Sequence, residues 1–200
     1  MSVYIWQKGR IFGTEELLAA AGSVIATWNY CEAIIGAMLP QFIFPSAIGK
    51  AVFHNSHNAL RLELLREAGK LRGDPLDDLL AEFATQAAIC IENRNLVAHA
   101  VYLPDFEVVG KYALQKAPKG RPDKINAFPI DSETMLEIAD GCYRLGQFRL
   151  GIVSWHASRP GGPIEMFAEL TALPDKPPRP RKLNPRPPKD QDNAPGQPLS

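Results

Sequence analysis

Hydrophobic residues recur at helical spacing along four long runs of this sequence. At the ends of each run lie residues that typically start or stop a helix. Amphipathic helices of this length must bury their apolar faces against one another, which favours a helical bundle. Thr14 precedes the first run as a capping hydroxyl, and the prolines at 40 and 45 stop it. The other three helices are predicted over 47–71 after a cap at Ser46, over 74–99, and over 131–157 after a cap at Asp131 or Ser132.

The segment between the third and fourth helices has a different composition. Residues 100–116 contain two short β-prone runs around Pro104 and Asp105, which predicts a small β-hairpin. Residues 117–130 are rich in proline and charge and are predicted to form a loop. We therefore expect an all-α domain over 14–160 with a hairpin and loop insertion at 100–130, preceded by an N-terminal segment at 1–13.

The C-terminal segment, residues 173–200, is predicted to be a disordered, Pro-rich basic tail. Nine of the eighteen prolines fall between Pro174 and Pro198, together with six basic and three acidic residues. A segment of this composition cannot bury enough apolar area to offset the entropy lost on ordering it. Its PxxP-like spacing leaves open an SH3-type ligand or an electrostatic RNA tether.

Composition excludes several classes of protein. The 22 basic and 22 acidic residues leave no net charge, so the overall charge does not indicate a nucleic-acid-binding protein. Three cysteines lie in separate apolar runs without metal-ligand spacing, which predicts buried thiols in a reducing compartment. We see no signal peptide and no run of about 18 apolar residues, so we expect a cytoplasmic protein without a membrane span.

The end of the third helix, residues 92–100, is unusually polar for its position. Arg94 falls in the register of the apolar stripe, so it must find a carboxylate, reach a helix end or open onto a cleft. Asn95 and His99 are four residues apart, share a face and are expected to hydrogen-bond, whereas Glu92 and Asn93 are expected to be ordinary solvated residues. Histidine transfers protons near neutral pH and arginine holds phosphate, so neither needs a metal or a cofactor. A two-fold dimer would bring two copies of each together.

These residues carry a resemblance to a known family. The string from Arg94 through Asn95 to His99 (RNLVAH) resembles the signature of the HEPN superfamily, an Arg, a polar residue, three variable residues and a His. The first helix, with TWNYCEAIIG, and the helices around the motif also look like that family. The resemblance covers roughly residues 14–157.

The resemblance implies both a fold and an activity. The fold is a HEPN-like four- to five-helix bundle that pairs as a homodimer, with both motifs lining one cleft. The activity is that of a metal-independent endoribonuclease, in which Arg94 is the phosphate and transition-state ligand, His99 the general acid/base and Asn95 the residue that orients His99. Many such proteins act in toxin–antitoxin, phage-defence or stress systems, so an antitoxin or regulatory protein is an expected partner besides RNA.

Other readings stay open. Some HEPN members have lost activity and bind nucleotides, nucleic acids or proteins, and the polar stretch could also be a solvated helix end in a plain helical dimer. Arg149 and His156 also have an allowed Arg–His spacing, but Leu150 follows that arginine, so we interpret the pair as a coincidence. His54 and His57 are three apart without a third ligand, which favours surface residues over a metal site.

Two further groups could serve the site at the end of the third helix. Glu32 falls in the apolar register of the first helix and could orient Arg94 or His99 from behind, or reach water at the edge of the stripe. A basic run beyond the motif could guide an RNA backbone or simply be a solvated hairpin and loop. This run consists of Lys111, Lys116, Lys119, Arg121 and Lys124.

Overall fold

The computed structural model describes residues 14–43, 46–105, 111–117, 125–158 and 172–186. Within these residues the chain forms five helices and a three-stranded sheet, so the predicted mainly helical fold is confirmed. The predicted N-terminal segment, 1–13, lies outside the described residues. The helices are α1 (Glu15–Ile43), α2 (Ala47–Asn55), α3 (Asn58–Arg72), α4 (Leu76–His99) and α5 (Ser132–Ala157).

The helix boundaries follow local capping. Thr14 Oγ1 accepts a hydrogen bond from the Leu17 amide at 3.2 Å, and Asp131 caps α5 by accepting from the Thr134 amide at 2.8 Å. Ser46 likewise caps α2. The predicted second helix is wrong as one element, because its chain becomes extended at Ser56 and restarts at α3. There His57 Nδ1 accepts from the Leu60 amide, which makes this histidine a capping residue.

The apolar faces of the helices meet in two buried clusters. The larger cluster joins all five helices around Trp28, Phe83 and Phe148, with Phe53 as the contribution of α2. The second cluster joins the first turns of α1, the end of α4, the sheet and the start of α5, with Val24 and Val97 among its members. None of the helices in the described part of the chain has the length and apolar character needed to cross a membrane.

The sheet lies between α4 and α5 in the chain. Its antiparallel strands are β1 (Val101–Pro104), β2 (Tyr112–Lys116) and β3 (Asn126–Ile130), in that order, and Leu114 pairs with Phe128. The β1–β2 pair agrees with the predicted hairpin, but the predicted loop is wrong over β3. Alternate β3 side chains, Phe128 and Ile130, are buried in the second cluster, so this short strand satisfies the period-two rule despite its proline.

We call residues 172–186 the strap, and the predicted disorder of the tail is wrong for its residues 173–186. One residue in three faces the body, and these five are Pro174, Pro177, Pro180, Leu183 and Arg186. A period of three is that of a polyproline II helix, which has no internal hydrogen bonds. Because proline already restricts the unfolded chain, ordering this segment costs less entropy than its polarity suggested. The rest of the predicted tail, 187–200, lies outside the described residues.

The strap runs along α4 and antiparallel to α5. On α4, Lys176 pairs with Asp78 and Lys182 with Glu92, at 2.5 and 2.7 Å. At the rise of an α-helix the two acidic residues are about 21 Å apart, and at the rise of a polyproline II helix the two lysines would be about 19 Å apart. The spacing of the acids therefore suits that of the lysines. Arg179 adds a two-bond pair with Glu82 and lowers the pKa of that carboxyl.

Glycines on α5 make room for the prolines of the strap. A Cβ atom added at Gly141 would lie 2.9 Å from Cβ of Pro180, and one added at Gly151 would lie 2.8 Å from Cβ of Pro174. A Cβ atom at Gly146 would meet no atom within 4 Å. Two of the three α5 glycines are therefore needed for close approach of the strap, and the third is not.

We predict opposite effects for two glycine substitutions on α5. Gly141→Ala should lower the free energy of unfolding by about 1–3 kcal/mol, because the rigid ring of Pro180 cannot rotate away from the new methyl group. Gly146→Ala, the matched control, should raise it by up to about 1 kcal/mol through helix propensity. Urea unfolding measures both, and limited proteolysis should cut the strap faster in Gly141→Ala alone. Equal stability of the two variants would contradict the contact between strap and helix.

Candidate functional site

The polar stretch ends α4, with His99 as its last residue. The side chain of His99 is exposed, while those of Arg94 and Asn95 are half-buried. Ala100 then becomes extended, and its amide donates to the Leu96 carbonyl at 2.9 Å before β1 begins. The structure therefore places the predicted catalytic residues at a helix end.

Arg94 is held by its neighbour and not by an acid. Its Nη1 donates to Oδ1 of Asn95 at 3.1 Å, while its buried Nε has no hydrogen-bond partner in the described residues. No carboxylate of the described residues forms an ion pair with Arg94, so its charge is available to a ligand. Asn95 accepts from this guanidinium, and the predicted Asn95–His99 hydrogen bond is not formed in the described structure. A bond from a charged donor is the stronger of the two for an amide oxygen.

Asn93, expected to be solvated, is fully buried and binds the strap. Its Nδ2 donates to the Arg181 carbonyl at 2.7 Å, and its Oδ1 accepts from the Leu183 amide at 3.0 Å. The amide thus pairs with the strap backbone as a neighbouring strand would. It sets Leu183 into the second cluster, where this residue is 6% exposed. The polar stretch therefore has a structural residue directly beside a candidate catalytic one.

Glu32 does not reach the motif. Its carboxylate accepts from Nε1 of Trp28 at 3.2 Å and lies 3.9 Å from Nη1 of Arg61, which α3 supplies. The reason is the position along α1. Val24 packs in the same cluster as Val97 of α4, whereas Glu32 lies about 12 Å further along the helix. The predicted role of Glu32 in orienting Arg94 or His99 is therefore wrong.

The predicted basic run is described only at Lys111 and Lys116, whose surroundings differ. Lys111 pairs with Asp131 at 3.3 Å. Hydrogen bonds from Thr134 at the α5 cap, and to a lesser extent this pair, lower the pKa of the Asp131 carboxyl. Lys116 forms no ion pair with a described residue and lies at the end of β2, opposite Asn126. Lys119, Arg121 and Lys124 lie outside the described residues.

An open groove of about 520 Å³ adjoins the motif, and we call it the motif groove. The end of α4 supplies Asn95 and Leu96, the sheet supplies Lys116, and the strap supplies Lys182 and Asn184. Sequence reasoning missed the strap residues because it assigned them to a disordered tail. The signal that could have found them is the three-residue spacing of Pro174, Pro177, Pro180 and Leu183, which is the repeat of a polyproline helix with one apolar edge.

The arginine of the second Arg–His pair lies inside the bundle, whereas His156 is half-buried. Arg149 is fully buried, and its three guanidinium nitrogens have no hydrogen-bond partner in the described part of the chain. Burial lowers the pKa of this guanidinium, although nearby Cys31 and Tyr30 oppose the shift. A phosphodiester backbone cannot reach Arg149, so this pair does not form an open site.

The three cysteines lie in the interior of the bundle. All three cysteines are buried and free, as predicted, and burial raises the pKa of Cys31 to about 12. A thiol that stays protonated is a poor nucleophile and a poor metal ligand. No group of three histidine, cysteine, aspartate or glutamate side chains with metal-binding geometry occurs among the described residues.

Comparison with protein-family models, with curated proteins and with solved structures finds no match for this chain.

We predict that the two asparagines flanking Arg94 differ in their effect on stability. Asn93→Ala should lower the free energy of unfolding by about 2–4 kcal/mol, because two hydrogen bonds are lost and the buried Leu183 amide is left unpaired. Asn95→Ala, the matched control, should cost less than about 1 kcal/mol, because its side chain is half-buried and only Arg94 donates to it. Chemical denaturation gives both values. Hydrogen exchange at the Leu183 amide should accelerate in Asn93→Ala only, and unchanged exchange there would argue against the pairing.

Proposed function

We propose that this protein is a HEPN-type endoribonuclease that cleaves RNA without a metal ion, through Arg94 and His99 of two paired copies. The observation that carries the proposal is the state of Arg94. This half-buried guanidinium has no carboxylate partner in the described residues and lies within two turns of an exposed histidine. A structural arginine would normally end in a carboxylate, whereas an arginine that binds a phosphate keeps its charge available.

The chemistry fits the side chains present. His99 takes the proton of a ribose 2′-hydroxyl, and the 2′-oxygen attacks the adjacent phosphorus. The bond from phosphorus to the 5′-oxygen breaks, leaving a cyclic phosphate on one fragment and a hydroxyl on the other. Arg94 neutralises the charge that grows on the phosphate oxygens in the transition state. A second histidine returns a proton to the departing 5′-oxygen.

A homodimer supplies that second histidine. One copy carries a single Arg94–His99 pair at a helix end, and proton transfer at both oxygens requires two acid–base groups. A two-fold axis beside the end of α4 would place two such pairs on either side of one phosphate. We propose that the protein acts as a toxin or as a component of phage defence or a stress response. An antitoxin or regulatory protein would then cover this cleft.

A second candidate function is a HEPN-like module that binds RNA or a nucleotide without cutting it. The observation that favours it is the isolation of His99, whose imidazole has no hydrogen-bond partner in the described structure to orient it. Catalytic histidines are usually held by a second group, because the tautomer and ring orientation decide proton transfer. The same Arg94 charge would serve this binding function.

We predict that cleavage depends on His99 and not on another exposed histidine. With EDTA present, His99→Ala should slow the cleavage of a labelled single-stranded RNA by about 10²- to 10⁴-fold, the usual contribution of a general acid or base. His54→Ala is the matched control, since His54 is exposed on α2 and contacts Phe53 edge-on. Its rate should stay within about twofold of wild type.

The outcomes separate the two candidate functions. Equal cleavage by wild type and His99→Ala would sink the nuclease proposal. RNA binding that is weakened by Arg94→Ala, without cleavage by the wild type, would support the binding module instead. Light scattering on the same samples reports whether two copies pair.

A further inference from the structure

The motif groove begins at the residue that holds Arg94. Asn95 accepts from Arg94 on one side, and the same asparagine lines the groove on the other. A molecule in this groove therefore lies next to whatever Arg94 binds. The groove is open, and its volume is within the range of ordinary small-ligand sites, about 300–1,000 Å³.

The walls of the groove carry hydrogen-bonding amides. Asn95, Asn126 and Asn184 come from α4, the start of β3 and the strap, and all three line it. The side chains of Asn126 and Asn184 are exposed and form no hydrogen bond within the described residues. Each amide offers donors and an acceptor, which is the combination that reads the edge of a nucleobase.

The floor and the charge of the groove also suit one nucleotide. Leu96, Phe128 and Leu183 form an apolar floor, against which the face of a base can pack. Lys182 is neutralised by Glu92 at 2.7 Å, whereas Lys116 forms no ion pair with a described residue. Among the described residues that line the groove, Lys116 is therefore the one uncompensated cation, which matches one phosphate.

We propose that the motif groove is a base-reading subsite, which binds one unpaired ribonucleotide next to the phosphate held by Arg94. The amides of Asn126 and Asn184 bind the edge of the base, and Lys116 binds the phosphate on its far side. This inference rests on the proposed function for its ligand class, RNA. It adds that the C-terminal strap, by supplying Asn184, determines which base is preferred.

The test measures binding apart from cleavage. His99→Ala in the full-length chain, with EDTA present, is titrated into fluorescent hexaribonucleotides of A, C or U, and anisotropy gives each affinity. We expect one sequence to bind at least about fivefold more tightly than the weakest, and Asn126→Ala or Asn184→Ala to reduce this ratio to below about twofold. Lys116→Ala should weaken all three alike and lower the salt dependence by about one counterion.

Asn29→Ala is the matched control, because Asn29 is an exposed asparagine on α1 that does not line the groove. It should change neither affinity nor preference. Thermal unfolding of each variant should stay within about 2 °C of the parent, since every substituted side chain is exposed. Detachment of the strap would lower the unfolding temperature and accelerate hydrogen exchange at the Leu183 amide.

Unchanged preference in both asparagine variants would overturn the subsite, as would the absence of binding to any of the three RNAs. The proposed function fails in a different way. If the asparagine variants lose the preference while the protein with an intact His99 cuts no RNA, the subsite stands and the cleavage proposal falls. If wild type cuts RNA in EDTA and neither asparagine affects its base preference, cleavage stands and the subsite falls.

Discussion

The buried amide of Asn93 determines where the C-terminal strap lies. Its side chain forms two hydrogen bonds to the strap backbone, at Arg181 and Leu183. Asn93 is fully buried, so water cannot replace either bond if it breaks. From this point Leu183 enters the second cluster, and the Arg186 amide donates to the Ala127 carbonyl at 2.8 Å. That last bond covers part of the outer edge of β3, which would otherwise offer unpaired backbone groups.

The same pairing builds the motif groove. Lys182 and Asn184 flank Leu183 in sequence and line the groove, and Asn95, which also lines it, is two residues from Asn93. Farther along, the guanidinium of Arg186 binds the carboxylate of Asp105 through two hydrogen bonds, one of them 3.1 Å long. The Asp105 side chain is 2% exposed, so this pair is largely buried, whereas the pairs of Lys176 with Asp78 and of Lys182 with Glu92 are exposed and weak. The strap is therefore anchored at several points: near the groove by Asn93 and Asp105, and earlier by the fully buried Gln86, whose Nε2 donates to the Pro177 carbonyl at 2.9 Å.

Two arginines in this chain precede a histidine at similar spacing, and their surroundings give them different capacities. Arg94 is close to a helix end, where a ligand can approach and where Asn95 fixes one of its nitrogens. Arg149 is enclosed between helices without a hydrogen-bonding partner in the described residues, which costs several kcal/mol that the surrounding core must offset. The Arg–His spacing alone did not show which arginine belongs to a candidate site, because both pairs lie within a predicted helix. The residue after each arginine did, since Asn95 is polar and Leu150 is not.

Most of the helices could be predicted because their signals are local. Caps at Thr14, Ser46 and Asp131 and the apolar period act within a few residues, and they hold in the structure. The break at Ser56 and His57 was missed because the apolar pattern continues through it. The strand β3 was missed because residues 117–130 are rich in proline and charge, which is typical of a loop. What makes residues 126–130 a strand is their pairing with β2, and composition does not reveal that pairing. The candidate site was predicted in part, since Arg94, Asn95 and His99 are contiguous, whereas Glu32 was assigned to a contact that lies too far along α1.

The sequence by itself determined the helices, their capping residues, the buried cysteines and the polar end of α4, because periodicity and capping depend on residues close together in the chain. Only the tertiary structure decided that Asn93 is a buried clamp and Asn95 a groove residue. It also decided that Glu32 forms an ion pair with Arg61, and that part of a proline-rich tail lines the motif groove. Each of these rests on a contact between residues far apart in sequence, such as Asn93 with Leu183, 90 residues away. The energy of such a contact exists only once the helices have packed.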